Sequence, residues 1–302
     1  MIKYLKYKDK NFLNYNKRQL GEVQIELSKK NYKEIKNIRD AEVKIFSQFG
    51  EDGIINFLLN KLNFKDKINF VEIGTGDYEE ANTRFLCESR ICKGLLIDKL
   101  KDLKFVKTRD YYWKNDLYFY QKEVTPSNIS SVIKNYGFDN KLHLLSIDID
   151  GNDYWVLKNI DLKSTDIVIA EYNPLFGSKL HLTIPQDDTF DRNKYNKLFY
   201  GASLPAMIEL LKSKEYFFIG ANKACNNAFF VHKKNKDFFL DMKIDKLEEY
   251  TNFTFRELKK NSLKENQIST LVESIENFEI YDLEKKQIIK VKEIKDILIN
   301  DR

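Results

Sequence analysis

The chain has 302 residues, 42% of them hydrophobic and 32% charged, and a formal net charge of +5. That is long enough for one large α/β domain with appended elements, and apolar enough to bury a sizeable core. Three cysteines, Cys87, Cys92 and Cys225, are odd in number with no C-x-x-C pair, which argues against a disulfide framework or a zinc knuckle. There is no N-terminal apolar h-region and no apolar run of about 18 residues, so the chain reads as cytoplasmic, neither secreted nor membrane-spanning. Lys, Asn and Ile are abundant while Pro and Gly are scarce, the mark of an AT-biased genome. The Lys count therefore gives no specific sign of nucleic-acid binding.

Residues 1–40 hold 11 Lys and Arg against 5 Asp and Glu, so the basic excess lies in this segment and the remainder carries a net charge of −1. The segment reads as a polar helical arm. It is a solvated face or a contact for anionic lipid, a polyanionic substrate or a partner protein. A boundary falls near residues 40–45, and the main domain is expected over 41–235. Phe46-Ser47-Gln48-Phe49-Gly50-Glu51-Asp52-Gly53 leads into a helical run over 54–62. Strand 1 is expected at Ile68–Ile73, followed by a helix over 80–89. Strand 2 follows at 94–98 and strand 3 at 117–120. A helix over 127–136 leads to strand 4 at 142–148. The next helix starts near Tyr154, and strand 5 spans 166–171. This βα alternation predicts a parallel sheet. A polar loop reaches to about residue 199, and 204–212 is an amphipathic helix with Ser203 as N-cap. Two further strands, 216–219 and 228–232, flank a turn and suit an antiparallel hairpin. Residues 236–302 read as a charged, mainly helical extension with a short β-like run over 278–281.

The most informative motif is Phe70-Val71-Glu72-Ile73-Gly74-Thr75-Gly76-Asp77. An apolar strand ends in a carboxylate, and two alternating glycines let backbone amides approach a nucleoside closely. Glu72 is placed to face a cationic ligand, and S-adenosylmethionine, with its sulfonium and ammonium, is the natural candidate. A dinucleotide fingerprint would need a third glycine at position 79; Glu79 and Glu80 stand there and would repel phosphate. Asp98 ends strand 2 at the place where an acid accepts hydrogen bonds from ribose hydroxyls. Glu123, just past strand 3, joins Glu72, Gly74, Gly76, Asp98 and Asp148 as a cofactor-binding candidate.

Ser146-Ile147-Asp148-Ile149-Asp150-Gly151-Asn152-Asp153-Tyr154 ends strand 4, and Glu171-Tyr172-Asn173-Pro174 ends strand 5. In open α/β sheets ligands sit on that edge. Asp148, Asp150, Glu171 and Asn173 are placed to converge on a hard divalent ion such as Mg²⁺, while some of these acids are expected to cap the following helix. Among the histidines, His143 reads as a packed sheet residue and His232 as a solvent-facing strand end. His181 lies in the loop after strand 5 and is the histidine candidate for general base. The Asn222…Asn226-Asn227 cluster is a polar hairpin tip or a border of the substrate site.

Taken together, 70–76, Asn82-Thr83, 94–98, 146–154, 171–174, 201–204 and 227–231 resemble the FkbM-type and related class I methyltransferases of bacterial surface-glycan and natural-product loci. Ser47-Gln48 with Gly50-Glu51-Asp52 fits the same pattern, and the resemblance covers about 44–233. It implies a Rossmann-like α/β fold of five parallel strands plus a terminal antiparallel hairpin, S-adenosylmethionine as cofactor, and methyl transfer to a hydroxyl, often of a sugar. Tyr78 departs from the pattern: many relatives have a small residue there, and its ring is expected to crowd the methionine end of the cofactor. The acceptor is expected to be a small molecule or glycan, with a nucleotide sugar as one form. No nucleic-acid partner is expected, and a homo-oligomer is left open. Asp148, Asp150 and His181 are the catalytic candidates, with Asp148, Asp150 and Glu171 as the metal set. Two other readings stand beside this one: a metal-dependent glycosyltransferase using Asp148-x-Asp150, and a non-catalytic methyltransferase-like scaffold.

Overall fold

Apolar residues run along the strands of this protein and are buried on both sides of one sheet. The computed structural model describes residues 2–99, 103–252 and 268–301. Strands β1 (Ile68–Ile73), β2 (Cys92–Ile97), β3 (Asp116–Tyr120), β4 (Leu142–Ile147) and β5 (Thr165–Glu171) run parallel. Strand β6 (Leu182–Thr183) belongs to a separate sheet. Strands β7 (Tyr216–Ala221) and β8 (Asn227–His232) form the antiparallel pair, with β8 inserted between β5 and β7. The order is β3-β2-β1-β4-β5-β8-β7, so the chain reverses direction across the sheet between β1 and β4, the switch point where such sheets bind ligands.

Helices α2 (Glu51–Lys61), α3 (Arg84–Ser89), α4 (Ile129–Asn135), α5 (Asp153–Lys158) and α6 (Leu204–Ser213) flank the sheet, and α1 (Ile2–Lys29) packs outside α2 and α3. Val71, Ile73, Leu95, Ile97, Leu145 and Ile147 pack against α4, α5 and α6. Phe70, Leu96, Leu144, Ile167 and Ile169 pack on the other face, against α2 and α3. Tyr32, Ile35 and Ile38 join this second core, although they fall within the arm expected over 1–40. Ser203 does cap α6, accepting a hydrogen bond from the Ala206 amide at 3.3 Å.

The helix after β1 is shorter than its sequence suggests. Glu72 holds residues 82 and 83 in a turn, accepting from the Asn82 amide at 2.8 Å, the Thr83 amide at 3.0 Å and the Thr83 hydroxyl. Helix α3 therefore begins at Arg84. The segment after β5 also differs from a plain polar loop. Leu175, Phe176, Leu182, Ile184, Phe199 and Tyr200 form their own apolar cluster. Its other half comes from α7 (Ile268–Ile275), β9 (Glu279–Asp282), β10 (Gln287–Lys290) and α8 (Lys295–Asn300). β6 pairs with β9, making a three-stranded sheet β10-β9-β6. Two-residue β6 is too short to show an alternation, and its partner lies about a hundred residues downstream. Asp301 locks this unit: it accepts from the Ser178 amide and hydroxyl, each at 2.7 Å, and from the Lys179 amide at 2.9 Å.

Two measurements follow. Asp301→Ala leaves two backbone amides and a hydroxyl without their acceptor, so stability should fall by about 1–3 kcal/mol in chemical denaturation. Exposed Asp296→Ala should change nothing beyond error. Glu72 is pushed up to about 7 by burial, against the opposing hydrogen bonds from Thr83 and Asn82. An acid whose folded value is raised stabilises the fold below its unfolded value and loses that contribution as pH rises through the folded one. Between pH 4.5 and about 7, the wild type should therefore lose on the order of 3 kcal/mol relative to Glu72→Gln, read as converging melting temperatures. Parallel melting curves across that window would show that Glu72 ionises normally.

Candidate active site

The site is built where β1 and β4 end side by side. Gly74 follows β1 with φ +88°, and a Cβ there would lie 1.5 Å from the Asp148 carbonyl oxygen. Only glycine lets the two strand ends approach this closely. The ladder continues past both strands, with the Asp148 amide donating to Ile73 at 2.9 Å and the Gly74 amide to Ile97 at 2.8 Å. Gly76, at φ +54°, would present a Cβ to open space. Its amide donates to the Asp98 carboxylate at 2.7 Å, fixing the end of β2 against the glycine turn.

A cavity of about 440 Å³ opens over these strand ends, within the usual size range for small-molecule sites. Gly74, Gly76, Asp98, Glu123, Asp148 and Asp150 all reach it. Among the candidate residues of the sequence, these six are brought together. Glu72 is not: both its oxygens are turned behind the glycine turn to residues 82 and 83, where it holds backbone rather than facing a cation. His181 is not either. Its ring lies between Glu209, at 3.3 Å, and Glu284, at 2.8 Å, and is no part of the cavity wall. Asn173 is taken by the backbone, accepting from the Leu175 amide and donating to the carbonyls of Leu198 and Tyr200, so it is not free to ligate. Tyr78 does not crowd the cavity. Its left-handed backbone, φ 62°, swings the ring into the core, where its hydroxyl meets Thr83 at 2.8 Å.

The loop after β4 is drawn tight by Asp153, which accepts from the Ile149 amide at 2.8 Å and the Gly151 amide at 2.9 Å. This leaves Asp148 and Asp150 directed outward. Asp148, Asp150 and Glu171 each offer an oxygen within 4.8 Å of the others. Burial, then repulsion from Asp150 and Asp153, pushes Asp148 well above the usual carboxylate range. Burial, then repulsion from Asp148 and Asp150, does the same to Glu171. Asp148 and Glu171 bring carboxyl oxygens within 4.8 Å of one another, a placement in which two carboxyls can share one proton. One oxygen of Glu171, Oε2, is buried without a hydrogen-bond partner.

Sequence reasoning missed the cation and the wall. Arg192 forms an ion pair with Asp150 and lies 4.1 Å over the Tyr200 ring. Phe190 packs on Gly151, where a Cβ would come within 2.7 Å of it, and stacks on Tyr195 at 4.9 Å. Tyr195 in turn meets Phe278, and Asn196 donates to the Ser274 carbonyl at 2.9 Å, so the C-terminal unit braces this wall. Three acids at strand ends called for a counter-ion, but nothing in the sequence located it at 192. The motif ahead of β1 and the Asn222…Asn226-Asn227 cluster, whose role was open, both make structural contacts. Asp52 gathers the amides of Ile45, Phe46 and Ser47 and the Ser47 hydroxyl at 2.7–2.8 Å. Buried Glu51 accepts from Asn222 at 2.7 Å and Asn227 at 3.0 Å, tying the hairpin tip to α2.

The site fits S-adenosylmethionine by its chemistry. The acids lining it suit a sulfonium and an ammonium, and the open space beside Gly76 admits a nucleoside against backbone. No curated protein matches the chain. Among solved structures, the N-terminal domain of EvdMO1 with SAH bound is 8% identical, covering 60% of this chain and 79% of its own, with a TM-score of 0.39. CurJ carbon methyltransferase is 11% identical over 60% and 52% of the two chains, TM-score 0.38. An O-methyltransferase family 2 protein from Planctomyces limnophilus, in complex with apigenin, is 10% identical over 56% and 52%, TM-score 0.34. At such identities and scores the likeness says nothing about ligand or acceptor. Residues 55–218, more than half of the chain, match the family described as the methyltransferase FkbM domain, and the chain belongs to that family of S-adenosylmethionine-dependent methyltransferases.

Proposed function

We propose that the protein is an O-methyltransferase acting on a hydroxyl of a sugar or nucleotide-activated sugar in bacterial surface-glycan assembly. The observation that carries the reaction type is the Asp148–Glu171 carboxyl pair at the edge of an acid-lined cavity. The glycan context rests on the motif resemblance. S-adenosylmethionine supplies an electrophilic methyl already activated as a sulfonium. What remains for the chain is to hold the acceptor hydroxyl in line and to take its proton. A sugar hydroxyl is a poor nucleophile at neutral pH. A carboxylate whose pKa is raised is a stronger base than an ordinary one, and burial raises Asp148. One proton shared between Asp148 and Glu171 leaves a single negative charge on the pair. Arg192 pairs with Asp150, so that of the two acids after β4 that line the cavity Asp148 is the one left to take a proton. Asp98 and Gly76 would hold the ribose, and Glu123 borders the same space.

A second reading is favoured by one observation, the unpartnered Glu171 Oε2. With Asp148 and Asp150 it forms a set suited to a divalent cation such as Mg²⁺, which would lower the hydroxyl pKa in place of a base. The D-x-D reading of a glycosyltransferase is weaker, since residues 55–218 match a methyltransferase family.

Asp98→Ala should weaken S-adenosylhomocysteine binding by on the order of 1–3 kcal/mol in calorimetry, through loss of charge-assisted ribose hydrogen bonds; unchanged affinity in a folded variant rejects the assignment. Asp148→Asn should lower turnover on nucleotide sugars about a hundredfold or more while leaving cofactor affinity nearly intact. Activity that survives a chelator assigns Asp148 as base, whereas loss with chelator and return with Mg²⁺ assigns the carboxyl set to the cation.

A further inference from the structure

Helix α1 is fixed to the domain along one side. Gly21 packs so closely on Ile45 that a Cβ would come within 2.7 Å of it, and Ile25 joins Val43, Ile45, Phe46 and Phe85 in a small apolar cluster. Helical spacing then decides what faces away. Leu13, Leu20 and Leu27 recur every seven residues, and Phe12 and Val23 fall beside them on the same side. All five are large and apolar, and all are between 56% and 71% exposed. A soluble helix ordinarily turns such a stripe inward, and here the inward side is already taken by Gly21 and Ile25.

We propose that this outward stripe of α1 docks on an anionic lipid surface, the helix lying in the plane of the interface. Charge selects the occupant. The helix carries seven basic residues against three acidic ones, in a chain whose net charge outside residues 1–40 is −1. An apolar stripe on a basic helix is the composition of interfacial helices. Each Lys or Arg near such a surface adds to the attraction. A second copy of the chain is a poorer occupant, because stripe-to-stripe pairing would set two basic helices side by side. The neighbouring segment agrees. Arg109 donates to Asn11 of α1, and the short 3₁₀ turns on either side of Arg109 expose Phe105 and Trp113, the first an apolar type found on interfacial helices and the second favoured at the headgroup level. No helix among the described residues is long and apolar enough to cross a membrane, so α1 would rest on the surface. This inference is independent of the acceptor proposed above.

The test is cosedimentation of the full chain with vesicles of phosphatidylcholine alone or mixed with phosphatidylglycerol, with light scattering for oligomeric state. The wild type should bind the anionic vesicles at least about tenfold more tightly than the neutral ones, and added salt should weaken that binding. The triple variant Leu13→Glu, Leu20→Glu, Leu27→Glu should lose the binding while keeping its melting temperature. Should it fail to fold, Leu20→Glu alone carries the same comparison. Absence of wild-type binding to anionic vesicles overturns the proposal. Equal binding by the variant overturns it as well, as does a dimer that the variant converts to monomer.

Discussion

The close approach of two strand ends governs this structure. With Gly74 against the Asp148 carbonyl, β1 and β4 can terminate together and turn their following loops to opposite sides. The crevice between those loops is the cavity. Asp98, ending β2, is drawn in by the Gly76 amide, and the loop after β4 is shaped by Asp153. A side chain at 74 would push β1 and β4 apart and disperse every group that now meets at the switch point.

A second theme is the division of labour among carboxylates. Glu51, Asp52, Glu72, Asp153 and Asp301 are buried and spent on amides or hydroxyls of neighbouring turns. Each replaces water for donors that a tight turn leaves without a backbone partner. Burial raises Asp52 and Asp153 to about 6, so these tethers are held against the cost of charge in the interior. Asp98, Glu123, Asp148 and Asp150 face the cavity instead. Both groups occur at strand and helix ends, and their residue types alone do not separate them.

The cavity wall depends on residues far apart in the chain. Phe190 and Arg192 are positioned by contacts with Gly151, Tyr200 and Tyr195, and the last of these is backed by Phe278. The C-terminal unit therefore contributes to the site's shape without supplying a lining residue among the described residues. It is the structural reason why the segment after β5 is ordered around an apolar cluster rather than extended in solvent.

Patterns of short range determined much of this protein. Apolar runs over 68–73 and 142–147 marked strands, the glycine spacing at 74 and 76 marked the turn, and acids at 98, 148 and 150 marked the ligand edge. Each depends on neighbours within a few residues, which is why it is legible in sequence. The direction of a buried carboxylate is not local. Glu72 turns to Asn82 and Thr83 because they, and not a ligand, reach it first, and His181 is drawn to Glu209 and Glu284 on separate elements. The pairing of Arg192 with Asp150, the pairing of β6 with β9, and the outward stripe of α1 likewise follow from which surfaces the fold brings together. Only tertiary structure decides these, because the competing partners lie tens to a hundred residues away and differ by packing rather than by pattern.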